Sequence, residues 1–450
     1  MTMPDIRPNR LSRDEIARNF SELHPPLSRS EALIEADRCY FCFDAPCTTA
    51  CPTGIDIPLF IQKIRSGNLR GAAHTILAEN IMGGMCARVC PTEVLCEEAC
   101  VRNLHEEKPV EIGLLQRHAT DPILDADLQL FSRAEASGHR VAVVGGGPAG
   151  LSCAHRLAML GHQVTLFDRD TKLGGLNEYG IAAYKTVDDF AQREIRYILS
   201  IGGIEVKAGV SLGQDITVTR LRDDYDAVFL GVGLAGINRL GIEGEELSGV
   251  ENAIDFIAKL RQATDKGDLP VGRRVVVIGG GMTAIDVAVQ SRRLGAEQVD
   301  IVYRRGFEQM GASDFEKNLA KTSGVTIRTF ARPLKVLGNG HVSGVLFERT
   351  ARDQYGSHAD SGETYTLDAD VVFKAIGQQL RDSVLENSSF RMQSGKIVVD
   401  EDQATSLAGV WAGGDCVLGG DDLTVTAVQH GKVAALAIDR YLRTGEKANG

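Results

Sequence analysis

The chain has 450 residues, 43% of them apolar and 24% charged, enough for two or three domains with ordinary soluble cores. Its 49 basic against 60 acidic residues leave a net charge of −11, and with no basic run or arm this argues against a nucleic-acid partner. No run of about 18 apolar residues is present to span a membrane, and "MTMPDIRPNRLSRDEIARNF" has no secretory apolar core. A reducing cytoplasm is therefore expected, where clustered thiols serve as metal ligands more often than as disulfides.

Residues 1–138 read as a domain of short helices that carries most of the sulfur. "LSRSEALIEADRC" offers Ser28 and Glu31 as a capping box and a helix that delivers Cys39 at its end. "CYFCFDAPCTTACP" then supplies Cys39, Cys42, Cys47 and Cys51, and "CARVCPTEVLCEEAC" supplies Cys86, Cys90, Cys96 and Cys100. The spacings C-x2-C-x4-C-x3-C-P and C-x3-C-P-x4-C-x3-C lack the paired C-x2-C of a zinc ribbon. They are similar to ferredoxin runs, in which the cysteine before a proline serves the second of two clusters. Spacing alone suggests all eight cysteines on two cubanes, Cys86 included; zinc or a disulfide framework are the alternatives.

From residue 139 the pattern becomes strand, glycine turn, helix: "HRVAVVGGGPAGLSCAHRLAMLGHQVTLFDRD". Gly145, Gly147 and Gly150 form GxGxxG after an apolar strand, with Pro148 and Ala149 opening a helix whose positive end faces a pyrophosphate. Asp168 closes the next strand, where an acid accepts ribose hydroxyls. The pattern returns in "RRVVVIGGGMTAIDVAVQSRRLGAEQVDIVYRRG", with Gly279, Gly281, Met282, Thr283 and Ala284 in a GxGxxA variant. Arg304 aligns with Asp168 and Arg305 follows it; an arginine fork suits a 2′-phosphate and favours NADPH, although a solvated basic pair is the plainer reading. The tail, "GVWAGGDCVLGGDDLTVTAVQHGKVAALAIDRYL", reads as strand, turn and closing helix.

Two such motifs with that tail resemble the two-dinucleotide-domain flavoprotein reductases over about 139–445. The resemblance implies FAD on the first motif and a nicotinamide on the second, inserted domain. Gly175 in "GGLNEYGIAAYK" belongs to a flavin-embracing segment, and "VFLGVG" and "VFKAIG" to crossover strands. Asp415 would hold the ribityl chain, and the helix from Thr424 would direct its dipole at the flavin's pyrimidine edge. The implied architecture is an α/β chain. A helical iron–sulfur domain (1–138) leads, followed by an FAD domain in two parts (139–270 and 372–450) around an NAD(P) domain (271–371).

The whole chain resembles the electron-input subunits of dihydropyrimidine dehydrogenases in "CPTGIDIPLFIQKI", "GGMCARVCPTEVLCEEACV", "EIGLLQRHATD" and both fingerprints. That resemblance implies one [4Fe–4S] cluster on Cys39, Cys42, Cys47 and Cys100, and another on Cys51, Cys90, Cys96 and Gln116, with Cys86 spare. It implies that electrons pass from NAD(P)H through FAD and both clusters to the pyrimidine-reducing centre. That centre needs an FMN barrel of about 250 residues, for which this chain has no room. The resemblance therefore implies a partner, an FMN-containing, dihydroorotate-dehydrogenase-like catalytic subunit in a heterotetramer. It also implies NAD(H), against the arginine pair. The rivals are the small subunit of glutamate synthase, where glutamate typically stands at the position of Gln116, and a zinc-stapled interaction module fused to an FAD disulfide reductase. The latter needs a redox cysteine pair near the flavin, where only the isolated Cys153 and Cys416 occur.

Overall fold

The computed structural model describes residues 5–352, 358–381, 385 and 389–445. The chain forms two compact units, and each is built from discontinuous segments. One comprises His24–Glu178, Asp188–Gly236 and Gln379–Gly450; the other comprises Met1–Leu23, Tyr179–Val187 and Ile237–Gln378.

The larger unit joins the cysteine-bearing helices to a nucleotide-binding sheet. Its five parallel strands run in the order Val410–Ala412, Ala227–Leu230, Arg140–Val144, Gln163–Asp168 and Ile204–Ala208. The central strands read "RVAVV" and "AVFL", continuous apolar runs of the kind a sheet covered on both faces requires. Helices Pro148–Met159 and Thr424–Thr444 cross over this sheet. Gly431 makes the crossing possible, because a Cβ there would lie 2.1 Å from the carbonyl oxygen of Ala149. In front stand the helices Arg29–Asp37, Ile57–Arg65, Leu69–Glu79, Gly83–Val89 and Ile112–Asp125. They enclose a core of Phe60, Ile61, Ile64, Ile76 and Leu115, with Cys39, Cys47, Cys51, Cys96 and Cys100 packed against it. Ser28 caps the first of them as expected: Glu31 N donates to Ser28 Oγ at 3.3 Å and Ser28 N to Glu31 Oε2 at 2.8 Å.

The smaller unit holds the second parallel sheet, in the order Thr326–Arg328, Gln298–Val302, Arg274–Gly279, Val371–Ala375 and Val250–Asn252. An antiparallel sheet of Ala331–Gly338, Val342–Arg352 and His358–Asp368 enters between its last two sequential strands. Residues up to Leu23, placed above in the helical domain, instead group here. Ile16 and Phe20 are buried with Val275, Val277 and Ile285 because helix Arg13–Asn19 is amphipathic toward this core. The unit also begins near 237 rather than 271, since Val250–Asn252 pairs with Val371–Ala375. Among the described residues no helix is long and apolar enough to cross a membrane.

The helix crossing yields a direct test. Gly431→Val would force apart two helices that share one core, and a loss of about 1–3 kcal/mol is expected. Thermal melting beside wild type reads it.

Candidate functional site

The first glycine loop lies at the carboxyl ends of the parallel strands, where open α/β sheets take their ligands. Gly145 has φ +102°, and a Cβ there would lie 2.2 Å from the carbonyl oxygen of Gly231, so no other residue fits the turn. Gly147 caps helix Pro148–Met159 without a side-chain partner for its first amides; Ala149 and Gly150 lie in the first turn. Asp168 ends the neighbouring strand, accepting from Gly146 N at 2.5 Å and Asp170 N at 2.7 Å. Burial raises its pKa, against those hydrogen bonds. Gly175 backs onto Gly147, with 2.9 Å from a built Cβ to Gly147 Cα, which brings the "GGLNEYG" segment against the loop.

The tail joins the same site. Thr424, at the start of helix Thr424–Thr444, donates to Asn177 Oδ1 at 2.7 Å, and Asn177 Nδ2 lies 3.9 Å from Met82 Sδ. Two polar atoms in this helix's first turns, Thr426 Oγ1 and Gln429 Oε1, are buried without a hydrogen-bond partner among the described residues. Burial, with repulsion from Asp422 next, pushes the Asp415 carboxyl up to about 6. A cradle closed to side chains, an uncapped helix end and orphaned polar atoms fit a dinucleotide bearing a polar ring and sugar chain.

In the smaller unit Gly279 repeats the first loop, with its Cβ position 2.1 Å from the Ala375 carbonyl oxygen. Gly281 caps helix Met282–Arg293, which opens with Met282, Thr283 and the fully buried Ala284. The strand register corrects one alignment. Val144 pairs with Phe167, so Gly145 stands opposite Asp168; Ile278 pairs with Val302, so Gly279 stands opposite Tyr303. Tyr303, not Arg304, thus occupies the acid position, its ring against Gly280 and its hydroxyl donating to Gln309 O at 2.8 Å. Arg304 and Arg305 follow it, exposed, and neither side chain has an ion-pair partner among the described residues. The alignment of Arg304 with Asp168 therefore ran one residue too far along the strand end.

Behind that helix a buried cation joins two carboxylates. Lys185 Nζ lies 2.7 Å from Asp286 Oδ1 and 2.6 Å from Glu316 Oε1. Burial opposes its charge, yet the two acids win and raise its pKa above the usual lysine range. Asp286 and Gln290 also accept from the amides of Ala182 and Ala183, so the segment Tyr179–Val187 is bound to the helix that presents the second loop.

Cys39, Cys42, Cys47 and Cys100 line one pocket, with Ile57, Ile61 and Ile112 as apolar walls. The loop between the first three bends through Phe41 (φ 52°) and Ala45 (φ 27°), left-handed conformations that cost a side-chain-bearing residue. Phe41 N donates to Cys39 Sγ at 3.4 Å and Val110 N to Cys100 Sγ at 3.5 Å. Burial first, then repulsion from Cys39 and Cys100, pushes the Cys47 thiol up to about 12. Cys51, Cys90 and Cys96 form a second group: the Cys86 thiol's hydrogen bond and burial raise Cys90, burial raises Cys96, and Cys51 repels both. Gln116 is buried, with Nε2 donating to Gly83 O at 2.6 Å. Among those residues no three Cys, His, Asp or Glu side chains are gathered closely enough for a single metal ion. A cubane places its irons at separate corners and takes sulfurs set further apart. Thiols gathered in apolar surroundings fit such a group, since bound cations offset the charge that burial disfavours.

Two residues that no spacing revealed complete the site. Lys432, one step past Gly431, donates to Thr53 O at 2.9 Å and to Glu79 Oε2 at 2.8 Å, tying the helix of Thr424 to the loop after Cys51. Glu194 accepts from the amides of Gly84 and Met85 at 2.8 and 3.0 Å. Cys153 is wholly buried in the sheet core, and the Cys416 thiol donates to Gly413 O at 3.3 Å.

Residues 139–431 match the pyridine nucleotide-disulphide oxidoreductase family, and residues 16–127 match the 4Fe–4S domain II of dihydropyrimidine dehydrogenase. Over 94% of the chain and 97% of the relative, it is 36% identical to a Salmonella typhi homolog of the NAD-dependent dihydropyrimidine dehydrogenase subunit PreT. Over 94% of both chains it is 37% identical to the NADPH glutamate synthase small chain of Escherichia coli. Mycobacterium tuberculosis FprA in complex with NADPH superposes with a TM-score of 0.59 at 19% identity, over 68% of this chain and 85% of that one, which supports the fold. Fold and site thus define a flavin- and nicotinamide-dependent oxidoreductase with an iron–sulfur front end. The chain belongs to the pyridine nucleotide-disulphide oxidoreductase family, in the group that includes PreT subunits and glutamate synthase small chains. It takes FAD, NAD(P)H and 4Fe–4S iron–sulfur.

The Lys185 cluster provides a second test. Lys185→Met leaves two buried carboxylates without their cation, and a loss of about 3–5 kcal/mol is expected. Combining it with D286N and E316Q should recover part of that loss in denaturant titrations.

Proposed function

We propose that this chain is the electron-input subunit of a dihydropyrimidine dehydrogenase. It would oxidise NAD(P)H and deliver electrons to a partner chain whose FMN reduces uracil or thymine. FAD, when bound, accepts a hydride and gives up its electrons singly to clusters that carry one at a time. The chain's own residues hold and align these groups. Asp168 would accept ribose hydroxyls, Asp415 would hold the ribityl chain, and the first-turn amides of the helix from Thr424 would serve the pyrimidine edge, where the helix dipole stabilises negative charge. Cys39, Cys42, Cys47 and Cys100 hold one cluster; Cys51, Cys90, Cys96 and Gln116 hold the other.

The observation that carries this reading is Gln116. Its amide nitrogen is committed to Gly83 O, so the atom left to coordinate is a neutral oxygen. The glutamate synthase relative is the second reading, since its identity to this chain is as high. Co-purification with the partner discriminates them: uracil-dependent oxidation of NAD(P)H supports the first, and glutamine-dependent oxidation with an amidotransferase partner overturns it.

For the coenzyme we favour NADPH. Tyr303 puts no negative charge where a 2′-phosphate would sit, and two exposed arginines follow it. R304A/R305A should raise KM for NADPH by about tenfold or more while moving that for NADH by less than about twofold, in steady-state assays with ferricyanide. For the clusters, Cys47→Ser should remove about half the iron and Cys86→Ser none of it; iron and sulfide analysis of anaerobically prepared protein decides.

A further inference from the structure

The helix Phe190–Leu199 carries a carboxyl that neither the nucleotide loops nor the cysteine groups use. Glu194 has no exposed surface; its Oε1 accepts from Gly84 N and Met85 N, and its Oε2 is buried without a partner among the described residues. The helix it caps, Gly83–Val89, leads to Cys90, and the Gly83 carbonyl receives the Gln116 amide. One short helix therefore links this acid to two of the groups assigned to the second cluster.

The charges facing it do not neutralise it. From the helix it caps comes Arg88, whose guanidinium lies 3.5 Å from the Phe190 ring centroid and donates to Gly84 O at 3.0 Å and Asp121 Oδ2 at 2.9 Å. Helix Ile112–Asp125 presents Asp121, which also accepts from Arg117 at 2.8 Å, and Asp125, paired with Arg193 at 2.6 Å. On the remaining side Glu178 accepts from Gln192 at 3.0 Å and lies 3.6 Å from Lys172. Each cation is thus shared with another acid. Burial pushes Glu194 up to about 8, ahead of the opposing pull of the Met85 amide and Arg88. Thiolates of a neighbouring cluster act in the same direction.

We propose that Glu194 is a proton acceptor coupled to reduction of the cluster on the Gln116 side. NAD(P)H oxidation releases two electrons and one proton; as one electron enters that cluster, one proton adds to the Glu194 carboxylate, and the charge of this buried region is unchanged. The proposal rests on the assignment of Cys51, Cys90, Cys96 and Gln116 to one cluster. It goes beyond that assignment by giving the cluster a pH-dependent potential.

The test is an EPR-monitored redox titration of the holoprotein between about pH 6 and pH 9. In wild type one cluster should fall by up to roughly 59 mV per pH unit, the equivalent of a tenfold change in proton activity for one electron. In E194Q, which keeps the amide-accepting oxygen and mimics the protonated acid, the slope should vanish at unchanged iron content. The infrared difference spectrum of wild type on reduction should gain a protonated-carboxyl band that shifts in D2O and is missing in E194Q. A wild-type potential independent of pH, or an equal slope in E194Q, overturns the proposal. Protein without iron and sulfide overturns the cluster assignment itself.

Discussion

The organisation of the larger unit depends on how closely the C-terminal helix approaches the first fingerprint helix. Gly431 lets the two touch at backbone distance, and Lys432, the next residue, reaches the opposite way to Thr53 O and Glu79. An ammonium this buried is held only by such partners. The effect is to fix the loop after Cys51 relative to the helix of Thr424. Adjacent residues on one helix thus fix both the first glycine-loop helix and the loop after Cys51.

The same economy appears around Met82. Asn177 meets Thr424 on one side and the Met82 sulfur on the other, and Gly83, the next residue, accepts from Gln116. Dinucleotide loop and thiol domain therefore share a short series of packed and hydrogen-bonded groups instead of meeting across a solvent gap. Because a small shift at any of these groups would be passed to the others, the front helices read as part of the flavin unit and not as an appended module.

Much of this was legible in the sequence because the relevant signals are local. GxGxxG after an apolar strand is a backbone requirement, and Gly145 meets it through positive φ and a carbonyl neighbour. The Ser28–Glu31 cap is likewise a matter of four consecutive residues. What escaped was non-local. Lys432 and Glu194 find partners hundreds or scores of residues away, and a lone Lys or Glu on an amphipathic helix looks like solvated surface. Arg304 was aligned with Asp168, whereas hydrogen-bond register gives that place to Tyr303. Residues up to Leu23 looked like the start of the thiol domain because they precede it in the chain; burial of Ile16 and Phe20 assigns them elsewhere.

The family's name raises a question that the cysteines answer. A flavoprotein that reduces a disulfide needs paired thiols whose pKa lies near the ambient pH. Downstream of residue 139 the chain has Cys153 and Cys416. Cys153 is wholly buried in the sheet core, and burial raises its thiol well above the usual range. Cys416 is pushed to about 11 by burial and then by Asp415, and its hydrogen goes to a backbone carbonyl. Both are buried, and they are not joined as a pair. Electrons that reach the flavin therefore have no sulfur exit within the reductase fold, whereas the front helices gather thiols in apolar surroundings that bound iron would satisfy. The dithiol chemistry in the family's name has no cysteine pair downstream of residue 139 to carry it, whereas the front helices match a 4Fe–4S domain.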